Sequence, residues 1–525
     1  MPPIPVELPL AVDRAAPASL TVQLGDRLRE AIRGGALAPG ERLPSTRALA
    51  RQLAVSRTVV TDAYQQLYAE GWIEGRHGSG TYVADLGPSR PGPGNAGPGA
   101  GPSAVPAGGR APAGGAAGRT EGAARIRDAG PGAAPPGHGL RTAAPDGAFQ
   151  ADRRDGRGHG GHAGSGPDGA AVIDLRPGRP WVRDYDEAAW RRAWRAAADL
   201  PPGDGVDPCG LPRLREALAR HLRRARTVPA GPENIMITRG TGSGLDLVAA
   251  TVLRPGDRAG VEEPGWRRAR SILAARGAEI VPCPVDSDGV VVEELPEDLR
   301  LLYTTPAHQY PLGGRLPIAR RERLLAWARR SGAVVVEDDY DAEFRYDVAP
   351  LPALYGLDPA RVVLLGTLSK SLSPDVGVGW LVAAPELLEA VARTRAELAD
   401  RTSGPAQQAV AVLLERGDLD RHLRRMRREY ARRRAALVAA LGPRVTGDTA
   451  GLHVTIELPG HEVGPLVEAA RARGVLLDTV EHHHHGPPGR HGLVVGYGSA
   501  SLAQVRRGAA ILARLLGPGL AETTE

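Results

Sequence analysis

Lys370 is the only lysine in a chain of 525 residues that contains 66 lysine and arginine side chains. An arginine stays charged at every accessible pH, whereas a lysine amine can lose its proton and condense with an aldehyde. A bias that placed arginine at every other basic position has therefore spared the one residue with amine chemistry. Chance survival on a solvated surface is the alternative, and the surrounding sequence favours the chemical explanation.

Polar residues follow two apolar runs that have the pattern of buried parallel strands. Residues 362–365 lead into the segment GTLSK that ends at Lys370, and residues 334–336 lead into the acidic run 337–341. Ligand sites of open α/β sheets lie at the carboxyl ends of the strands, so we expect the amine and a carboxylate to meet there. A buried carboxylate suits the ring nitrogen of pyridoxal phosphate. A solvated loop or a magnesium site is the alternative for the acidic run alone.

A glycine-rich run, TRGTGSG at residues 238–244, precedes an amphipathic stretch over residues 245–253. Backbone N–H groups of a glycine turn at a helix N-terminus form a cradle for phosphate. The run lacks the Lys-Ser/Thr ending of a P-loop, and a glycine loop alone is a weak signal. It gains weight as the third component of the same predicted site.

These segments belong to an α/β domain, which we predict over residues 171–519 because short apolar runs alternate there with amphipathic helices. Residues 85–170 are mostly Gly, Pro, Ala, Ser and Arg. They have too few large apolar side chains to offset the entropy of ordering, which predicts a disordered linker. Residues 20–84 alternate helical periodicity with turn signals and predict a separate module, preceded by an N-terminal extension over residues 1–19.

The module at residues 20–84 has the pattern of a winged helix-turn-helix. A first helix with apolar residues at four-residue spacing is followed by two helices capped by Ser45 and Ser56. Two short strands around the glycines of residues 75–80 then form the wing. The third helix is expected to bury four side chains on one face: Val60, Tyr64, Leu67 and Tyr68.

The outer side of the third helix and the wing carry the residues that we expect to contact DNA. Arginine side chains supply charge for phosphates and planar donors for guanine edges, and glycines let the wing backbone approach closely. The candidates are Arg47, Ser56, Arg57, Thr58, Arg76 and Gly78. A small helical interaction domain with ordinary surface arginines is the alternative.

The formal net charge of +6 permits an anionic partner such as DNA, although arginine bias alone also explains it. The two cysteines, Cys209 and Cys283, form no disulfide framework and no cysteine-based metal motif. No basic segment followed by an apolar run opens the chain, and no apolar stretch has the length needed to cross a bilayer. We therefore expect a soluble, cytoplasmic protein.

The N-terminal module resembles the GntR family of bacterial winged-helix regulators through GERLPSTR at 40–47, VSRTV at 55–59 and GSGTYV at 78–83. The region after residue 172 resembles fold-type I, class I aminotransferases, which have a large α/β domain and a small α+β domain. The segments that carry this likeness are DPCGLPRLRE at 207–216, EEPGW at 262–266, TPAHQYP at 305–311, residues 337–346 and GTLSK at 366–370. The combination resembles the MocR (GabR-like) subfamily, in which the two modules are fused.

This resemblance implies a homodimeric DNA-binding transcriptional regulator whose aminotransferase-like domain binds pyridoxal phosphate and senses it, or an amine or amino acid. Lys370 would be the catalytic lysine that holds the cofactor covalently, Asp338 the partner of the pyridine nitrogen, and Tyr340 the phenol beside the ring hydroxyl. Trp266 matches the aromatic side chain that stacks on the cofactor. The implied phosphate contacts are Thr241, Gly242 and Thr367.

The sequence departs from the family pattern at Gly377, where an arginine usually grips the cofactor phosphate. A charge-assisted contact of this kind contributes roughly 1.5–3 kcal/mol, so its loss predicts an affinity about 10- to 150-fold lower. Arg239, beside the glycine run, is one hypothesis for a replacement. Arg490 is nearest to the region expected to supply an arginine for a substrate carboxylate.

Four histidines at residues 482–485 invite a metal interpretation. Adjacent residues rarely converge on one ion, so we expect a solvated loop there.

Three functions fit these patterns. The first is a regulator whose second domain senses pyridoxal phosphate or an amine, and the second is an active aminotransferase with a DNA-binding module. The third is a regulator with a degenerate, cofactor-free dimerisation domain. The long linker favours the first and third because it sets the reach between DNA-binding modules and does nothing for transamination. Gly377 favours the third.

Overall fold

The structure, a computed structural model, describes residues 11–16, 19–76, 80–85, 172–201, 207–341, 343–347 and 351–517. All of these residues lie in one of two compact units of the chain, which comprises residues 1–90 and 164–525. Almost all of the predicted linker and the wing residue Gly78 lie outside the described residues. Within the described ranges, no helix combines the length and the apolar character needed to span a membrane.

The N-terminal module contains three helices and a two-stranded antiparallel sheet, and its second and third helices begin after Ser45 and Ser56, as the sequence predicts. The three helices are α1 (Leu20–Arg33), α2 (Thr46–Gln52) and α3 (Arg57–Glu70), followed by β1 (Ile73–Arg76) and β2 (Gly80–Val83). The hydroxyls of Ser45 and Ser56 accept hydrogen bonds from backbone N–H groups in the first turns of α2 and α3. Gly71 adopts a left-handed conformation with φ of 85° and ends α3, as a helix C-cap commonly does.

The core of this module confirms most of the predicted apolar face of α3. Val60, Tyr64 and Leu67 are buried, whereas Tyr68 is 58% exposed, so the prediction of Tyr68 as a core residue is wrong. The Tyr68 ring lies over Gly75 of the wing, at the edge of the helix face that points to the core. A side chain one position beyond Leu67 is rotated by about 100° around the helix, and this rotation carries Tyr68 out of the core.

The second domain contains fourteen strands and ten helices within the described ranges. The strands are β3 (Ile173–Asp174), β4 (Ile235–Thr238), β5 (Arg258–Glu263), β6 (Glu279–Asp286), β7 (Gly289–Val290), β8 (Leu301–Thr304), β9 (Val334–Asp339), β10 (Val362–Thr367), β11 (Gly379–Val382), β12 (Val445–Thr446), β13 (His453–Glu457), β14 (Val475–Leu476), β15 (Asp478–Thr479) and β16 (Gly492–Gly496). The helices are α4 (Glu187–Ala198), α5 (Pro212–Arg226), α6 (Thr241–Val252), α7 (Arg267–Ala275), α8 (Ile318–Ser331), α9 (Pro385–Glu397), α10 (Gly404–Glu415), α11 (Asp418–Leu441), α12 (Gly460–Ala472) and α13 (Leu502–Leu515).

Eight of these strands form a large mixed sheet in the order β4-β11-β10-β9-β8-β5-β6-β7. Strand β11 is antiparallel to both of its neighbours, and β7 is antiparallel to β6, whereas the remaining pairs are parallel. The carboxyl ends of β4, β10, β9, β8 and β5 therefore lie along one edge of the sheet. The predicted α/β class is confirmed.

Apolar side chains cover both faces of this sheet, because successive strand residues point to opposite faces. Val335 and Leu364 belong to one core, which includes residues of α5, α8 and α10. Val336 and Leu365 belong to a second core, formed with α6, α7 and α9. This burial on both faces explains why these strands read as continuous apolar runs in the sequence.

A smaller region follows α10, in which α11 packs against α13. It contains the four-stranded antiparallel sheet β12-β13-β16-β15, and β14 pairs in parallel with β3 from the start of the domain. The region around the four-stranded sheet and the region around the large sheet are the small and large domains that the resemblance implies.

The N-terminal module contacts the second domain at the start of α8. Ile318, the first residue of α8, is only 4% exposed and belongs to the hydrophobic core of the winged helix-turn-helix. A Cβ placed on Gly71, at the end of α3, would lie 3.4 Å from Pro317 Cβ. The end of the third helix therefore rests directly on α8.

Candidate functional site

The carboxyl edge of the large sheet brings together four of the segments singled out in the sequence. In the parallel pairing of β9 with β10, Asp338 lies opposite Leu365, just before the segment that carries Lys370. Thr238 of β4 lies opposite Gly379, and Gly379 lies opposite Thr367. The glycine run, the acidic run, the lysine segment and the end of β5 therefore share one edge.

Asp338 is a buried carboxylate with one free oxygen. Its Oδ2 accepts a hydrogen bond of 2.6 Å from the Tyr303 hydroxyl, whereas Oδ1 has no hydrogen-bond partner within the described parts of the chain. Burial raises the pKa of Asp338 to about 7, against the opposing effects of the Tyr303 and Thr241 hydroxyls and of the charge on Lys370. An unpaired buried acceptor destabilises a fold, so such an atom indicates a site for a ligand that donates a proton.

Lys370 lies just beyond β10, and its amine points into the protein. The Nζ atom donates a hydrogen bond to the carbonyl oxygen of Gly178. Burial lowers the pKa of Lys370, and the carboxylates of Asp341 and Asp338 oppose this effect. A larger fraction of this amine is therefore neutral near neutral pH than for a lysine in water, which is the state that attacks carbonyl carbon.

The start of α6 forms a glycine turn against the ends of β10 and β11. Gly240 precedes the helix with a positive φ of 127°, and a Cβ on Gly379 would lie 2.6 Å from its Cα, so both positions require glycine. The Thr367 hydroxyl lies 3.6 Å from the Cβ position of Gly240. Thr241 is the first residue of α6 and is buried, as is Thr367. The predicted phosphate residues are thus neighbours around a helix N-terminus.

Trp266 caps α7 beside this turn. Its ring lies 3.8 Å from the Cβ position of Gly242 and stacks on Tyr303 with ring centroids 6.0 Å apart. Tyr303 is the residue that donates to Asp338, so Trp266 and Asp338 belong to one continuous cluster with the start of α6. Sequence analysis did not identify Tyr303; its place at the carboxyl end of an apolar run was the available signal.

Tyr340 follows β9 and lies in a hydrogen-bond network with two further residues. Its hydroxyl is 3.1 Å from Nδ1 of His308, and the same nitrogen is 3.1 Å from Oδ2 of Asp341. All three side chains lie between β9 and the loop that follows β8. The motif TPAHQYP contains His308, but sequence analysis assigned this histidine no role.

The acidic run at the carboxyl end of β9 is neither a solvated loop nor a cluster of free carboxylates. Glu337 accepts hydrogen bonds from two backbone N–H groups, at Leu354 and Tyr355. Asp339 forms a buried ion pair of 2.6 Å with Arg226. Asp341 contacts His308, and Asp338 is the member of the run with a buried oxygen that has no hydrogen-bond partner among the described residues.

Gly377 adopts a left-handed conformation with φ of 59° and ψ of 36°, and a Cβ there would meet no atom within 4 Å. Open space is therefore present where the family places its arginine. Arg239 is 59% exposed and forms an ion pair of 2.8 Å with Asp400. This pairing argues against Arg239 as the replacement cation.

The expectation of a solvated loop at residues 482–485 is wrong for two of the four histidines. His483 is buried and lies 3.3 Å from Asp478, while His484 contacts Glu263 at 2.9 Å. The reason is tertiary: Arg270 of α7 donates hydrogen bonds to the carbonyl oxygens of both histidines and holds the segment against the large domain.

Arg490 does not lie free at the edge of the site. It is paired with Glu457 at 3.0 Å.

A second candidate surface lies on the N-terminal module. Arg47 and Arg57 are exposed and line an open groove of about 700 Å³ between α2 and α3, together with Arg51, which sequence analysis missed. Ser56 and Thr58 are exposed at the start of α3, where the Ser56 hydroxyl caps the helix. Arg76 is the last residue of β1, and Gly78 lies outside the described residues. The groove presents three guanidinium groups around the start of the predicted recognition helix.

Residues 20–83 match the model of the gntR family of bacterial regulatory proteins, and residues 187–490 match that of aminotransferase classes I and II. The HTH-type pyridoxine biosynthesis transcriptional regulator PdxR of Corynebacterium glutamicum is 33% identical to this chain, over 94% of this chain and 95% of that protein. The probable rhizopine catabolism regulatory protein MocR of Rhizobium meliloti is 33% identical, over 95% and 94%. A crystal structure of an archaeal alanine:glyoxylate aminotransferase superimposes with a TM-score of 0.61 at 27% identity, over 66% of this chain and 91% of that one.

Proposed function

This chain belongs to the MocR-type GntR regulators, which join a DNA-binding module to an aminotransferase class I and II domain, and from this membership we propose that its second domain binds pyridoxal phosphate to control DNA binding. The chain is accordingly a DNA-binding transcriptional regulator. What we propose beyond this is the cofactor, its role as a signal, a homodimeric assembly with two DNA half-sites, and action in the bacterial cytoplasm.

The observation that carries the proposal is the buried carboxyl of Asp338, with its unpaired Oδ1, within electrostatic reach of the half-buried Lys370. A protonated ring nitrogen would satisfy Oδ1, and an aldehyde would react with the amine. The glycine turn at the start of α6 fits a phosphate group because backbone N–H groups there are not used within the helix. The residues present therefore fit all three functional parts of pyridoxal phosphate.

Bound pyridoxal phosphate supplies an aldehyde and an electron-withdrawing ring. For their part, Lys370 would hold the cofactor covalently, Asp338 would keep the ring nitrogen protonated, and Tyr340 would donate to the ring oxygen. Trp266 would cover one face of the ring, while Thr241, Gly242 and Thr367 would hold the phosphate. Arg490, the candidate that sequence analysis named for a substrate carboxylate, is paired with Glu457 and is not free for that role.

The start of α8 offers a physical connection between this site and the DNA-binding module. Buried Arg321 of α8 donates hydrogen bonds to the carbonyl oxygens of Pro306 and Leu316. Pro306 lies in the loop that carries His308, and Ile318 lies in the core of the winged helix-turn-helix. A shift of this loop on cofactor binding would therefore reach the end of α3 through only a few packed residues.

The test uses a DNA fragment from upstream of the regulator's own gene, on which footprinting has located the binding site. This fragment is titrated with full-length protein, once in the presence of pyridoxal phosphate and once in its absence. We expect the cofactor to change the affinity for wild-type protein and not for Lys370→Ala. Arg57→Ala should weaken binding roughly 5- to 150-fold and reduce the salt dependence. Arg507→Ala, an exposed arginine on α13, is the matched control.

An affinity that pyridoxal phosphate leaves unchanged would contradict the proposed sensing. Efficient amino-group transfer to a keto acid by the same protein would instead identify an active aminotransferase.

Gly377→Arg is expected to raise the affinity for pyridoxal phosphate by about 10- to 150-fold, because it restores a charge-assisted phosphate contact. The left-handed backbone at Gly377 should also make the variant roughly 1–2 kcal/mol less stable. Gly377→Ala introduces the same backbone strain without the charge and is the matched control. Fluorescence titration with the cofactor measures the affinities, and an equal affinity for the arginine and alanine variants would show that the phosphate is held by other groups.

A further inference from the structure

His308 is a buried histidine that the proposed function does not use, and it lies between two residues of the site. Its Nδ1 atom is 3.1 Å from the Tyr340 hydroxyl and 3.1 Å from Oδ2 of Asp341. The Tyr340 hydroxyl is also 3.2 Å from the carbonyl oxygen of His308. A single ring nitrogen thus faces one group that can donate a proton and one that accepts.

The proton on Nδ1 decides which of these contacts is a hydrogen bond. A neutral imidazole nitrogen either donates or accepts, and a carboxylate only accepts. When Asp341 is ionised, Nδ1–H donates to it, and the opposite tautomer would place a lone pair against the carboxylate. The Tyr340 hydroxyl then has no acceptor at Nδ1 and donates to the His308 carbonyl oxygen instead. Asp341 therefore fixes the tautomer of His308, and the tautomer fixes the direction of the phenol proton.

A fourth residue, His453, packs against this network from the small domain. Its Nε2 lies 3.0 Å from the carbonyl oxygen of Pro311, so Nε2 carries the proton, and its ring centroid is 4.9 Å from that of His308. Burial lowers the pKa of His453 well below its usual value, with the neighbouring His308 acting in the same direction. His453 is consequently neutral and does not compete with His308 for the charge of Asp341.

The side chains of His308, Asp341 and His453 also have the donor types of a metal site, with ligand atoms within 4.8 Å of one another. However, Nδ1 of His308 and Nε2 of His453 already have protein partners. The contacts are those of a hydrogen-bond network.

The groups that face the network from neighbouring elements are acids, phenols and one further histidine. Asp338, Glu262 and Tyr310 face Tyr340, while His483 and Asp478 face His453. Burial, with Asp341 as the next cause, raises the pKa of Tyr340 well above its usual value, so the phenol keeps its proton and remains a donor. The charge of Asp341 also acts on Lys370. The network therefore lies within electrostatic reach of the amine.

We propose that Asp341 and His308 form a positioning pair that sets the donor direction of the Tyr340 hydroxyl and, through it, the ionisation of the cofactor held at Lys370. This inference rests on the proposed binding of pyridoxal phosphate. Once the cofactor is bound, its ring oxygen offers the phenol a second acceptor. Because Nδ1 of His308 carries a proton that it donates to Asp341, it cannot accept the hydrogen bond of the phenol in place of that oxygen.

The test is a pH titration of the absorption spectrum of full-length protein loaded with pyridoxal phosphate. His308→Phe keeps a ring but loses the donor, so Asp341 becomes an acceptor for Tyr340 and the cofactor oxygen loses its hydrogen bond. That oxygen becomes more basic and holds the chromophore's proton to higher pH. We expect the midpoint to rise by about half to one pH unit, the effect of one hydrogen bond.

Two further variants separate a positioning role from a purely structural one. In His308→Asn the amide nitrogen is bonded to Cγ, as Nδ1 is in histidine, so this variant should have a midpoint close to that of the wild type. In a Tyr340→Phe background, His308→Phe should add almost nothing, because the residue through which it acts is gone. Should His308→Phe not fold, His308→Gln, whose amide lies one carbon further out, replaces it with the same expectation.

Borohydride reduction followed by mass spectrometry shows independently whether the cofactor is attached to Lys370. Attachment in every variant with an unchanged midpoint for His308→Phe overturns the positioning pair and leaves the proposed function intact. A shift that persists in full in the Tyr340→Phe background also overturns it. Absence of attachment in the wild type overturns both proposals.

Discussion

Lys370→Arg is expected to abolish the visible absorption that pyridoxal phosphate gives on the wild-type protein and the mass increase that remains after borohydride reduction. The guanidinium keeps its proton at every accessible pH and so has no electron pair with which to attack an aldehyde. Since Lys370 is the only lysine, the chain amino terminus is the one amine left in the variant. Any adduct that remains should therefore lie at the amino terminus, where peptide mapping distinguishes it from an adduct at residue 370.

An amine placed elsewhere provides the matched control. Arg191 is 72% exposed on α4, where it pairs with the exposed Glu187, so the double variant Lys370→Arg with Arg191→Lys carries one lysine in water. This variant should show neither the absorption nor the stable adduct, because the surface amine is exposed to water and lies away from the buried carboxyl of Asp338 and from the glycine turn at the start of α6. An adduct of wild-type strength at residue 191 would contradict a built site at Lys370.

The pH dependence of attachment follows from the lowered pKa of Lys370. The neutral amine is the reactive form, so the rate should rise with pH and level off below the ordinary lysine pKa of about 10.4. Stopped-flow absorption at a fixed cofactor concentration measures this rate. A rate that keeps rising through the ordinary lysine value would show an amine in water.

Asp338→Asn is expected to change the pH dependence of stability of the cofactor-free protein. The pKa of Asp338 is raised to about 7 in the folded state by burial, whereas in the unfolded chain it is about 3.9. Between these values the native state binds more protons than the unfolded state, so this carboxyl makes the wild type less stable as pH rises from about 4 to 7. The asparagine variant lacks this loss.

The free energy of unfolding of Asp338→Asn, relative to wild type, should therefore increase between pH 4 and pH 7 by up to roughly 4 kcal/mol and then stay level. Urea unfolding followed by tryptophan fluorescence across this pH range measures the difference. Glu468→Gln, which removes a carboxyl at an exposed position of α12, is the matched control. Parallel pH profiles for Asp338→Asn and wild type would show that the carboxyl is already ionised or paired in the folded protein.

An increase of this size between pH 4 and pH 7 would mark Asp338 as a residue kept for ligand binding at the expense of stability. The asparagine would hold the cofactor ring nitrogen less strongly, because a neutral amide does not favour the protonated ring. Stability of the free protein and affinity for the cofactor should thus change in opposite directions.

The winged helix-turn-helix was predictable from the sequence because its signals are local. Caps at Ser45 and Ser56 are properties of a few consecutive residues, and both are confirmed. Tyr68 was misplaced because helical periodicity does not fix the edges of a buried stripe. The edge depends on which neighbour, here Gly75 of the wing, takes up the space beside the ring.

The meeting of the residues of the proposed cofactor site was predictable for a different reason. Parallel strands bring their carboxyl ends to one edge, so Lys370, Asp338 and the turn at Gly240 had to be neighbours once the α/β class was known. The sequence also indicates the backbone conformation at two positions. Glycine occupies position 240, where a side chain would strain the backbone, and position 379, where a Cβ would collide with Gly240.

By itself, then, the sequence determined the helices of the winged helix-turn-helix, the α/β class of the second domain and the single lysine available for amine chemistry, since these follow from local patterns, from the rule for parallel strands and from residue type. Only the tertiary structure decided the partners of individual charges: Arg239 with Asp400, Arg490 with Glu457, and His308 with Asp341. It also placed Ile318 in the core of the DNA-binding module. Contacts of this kind join residues far apart in the chain, and their geometry depends on packing over several ångströms, which residue type and spacing do not encode.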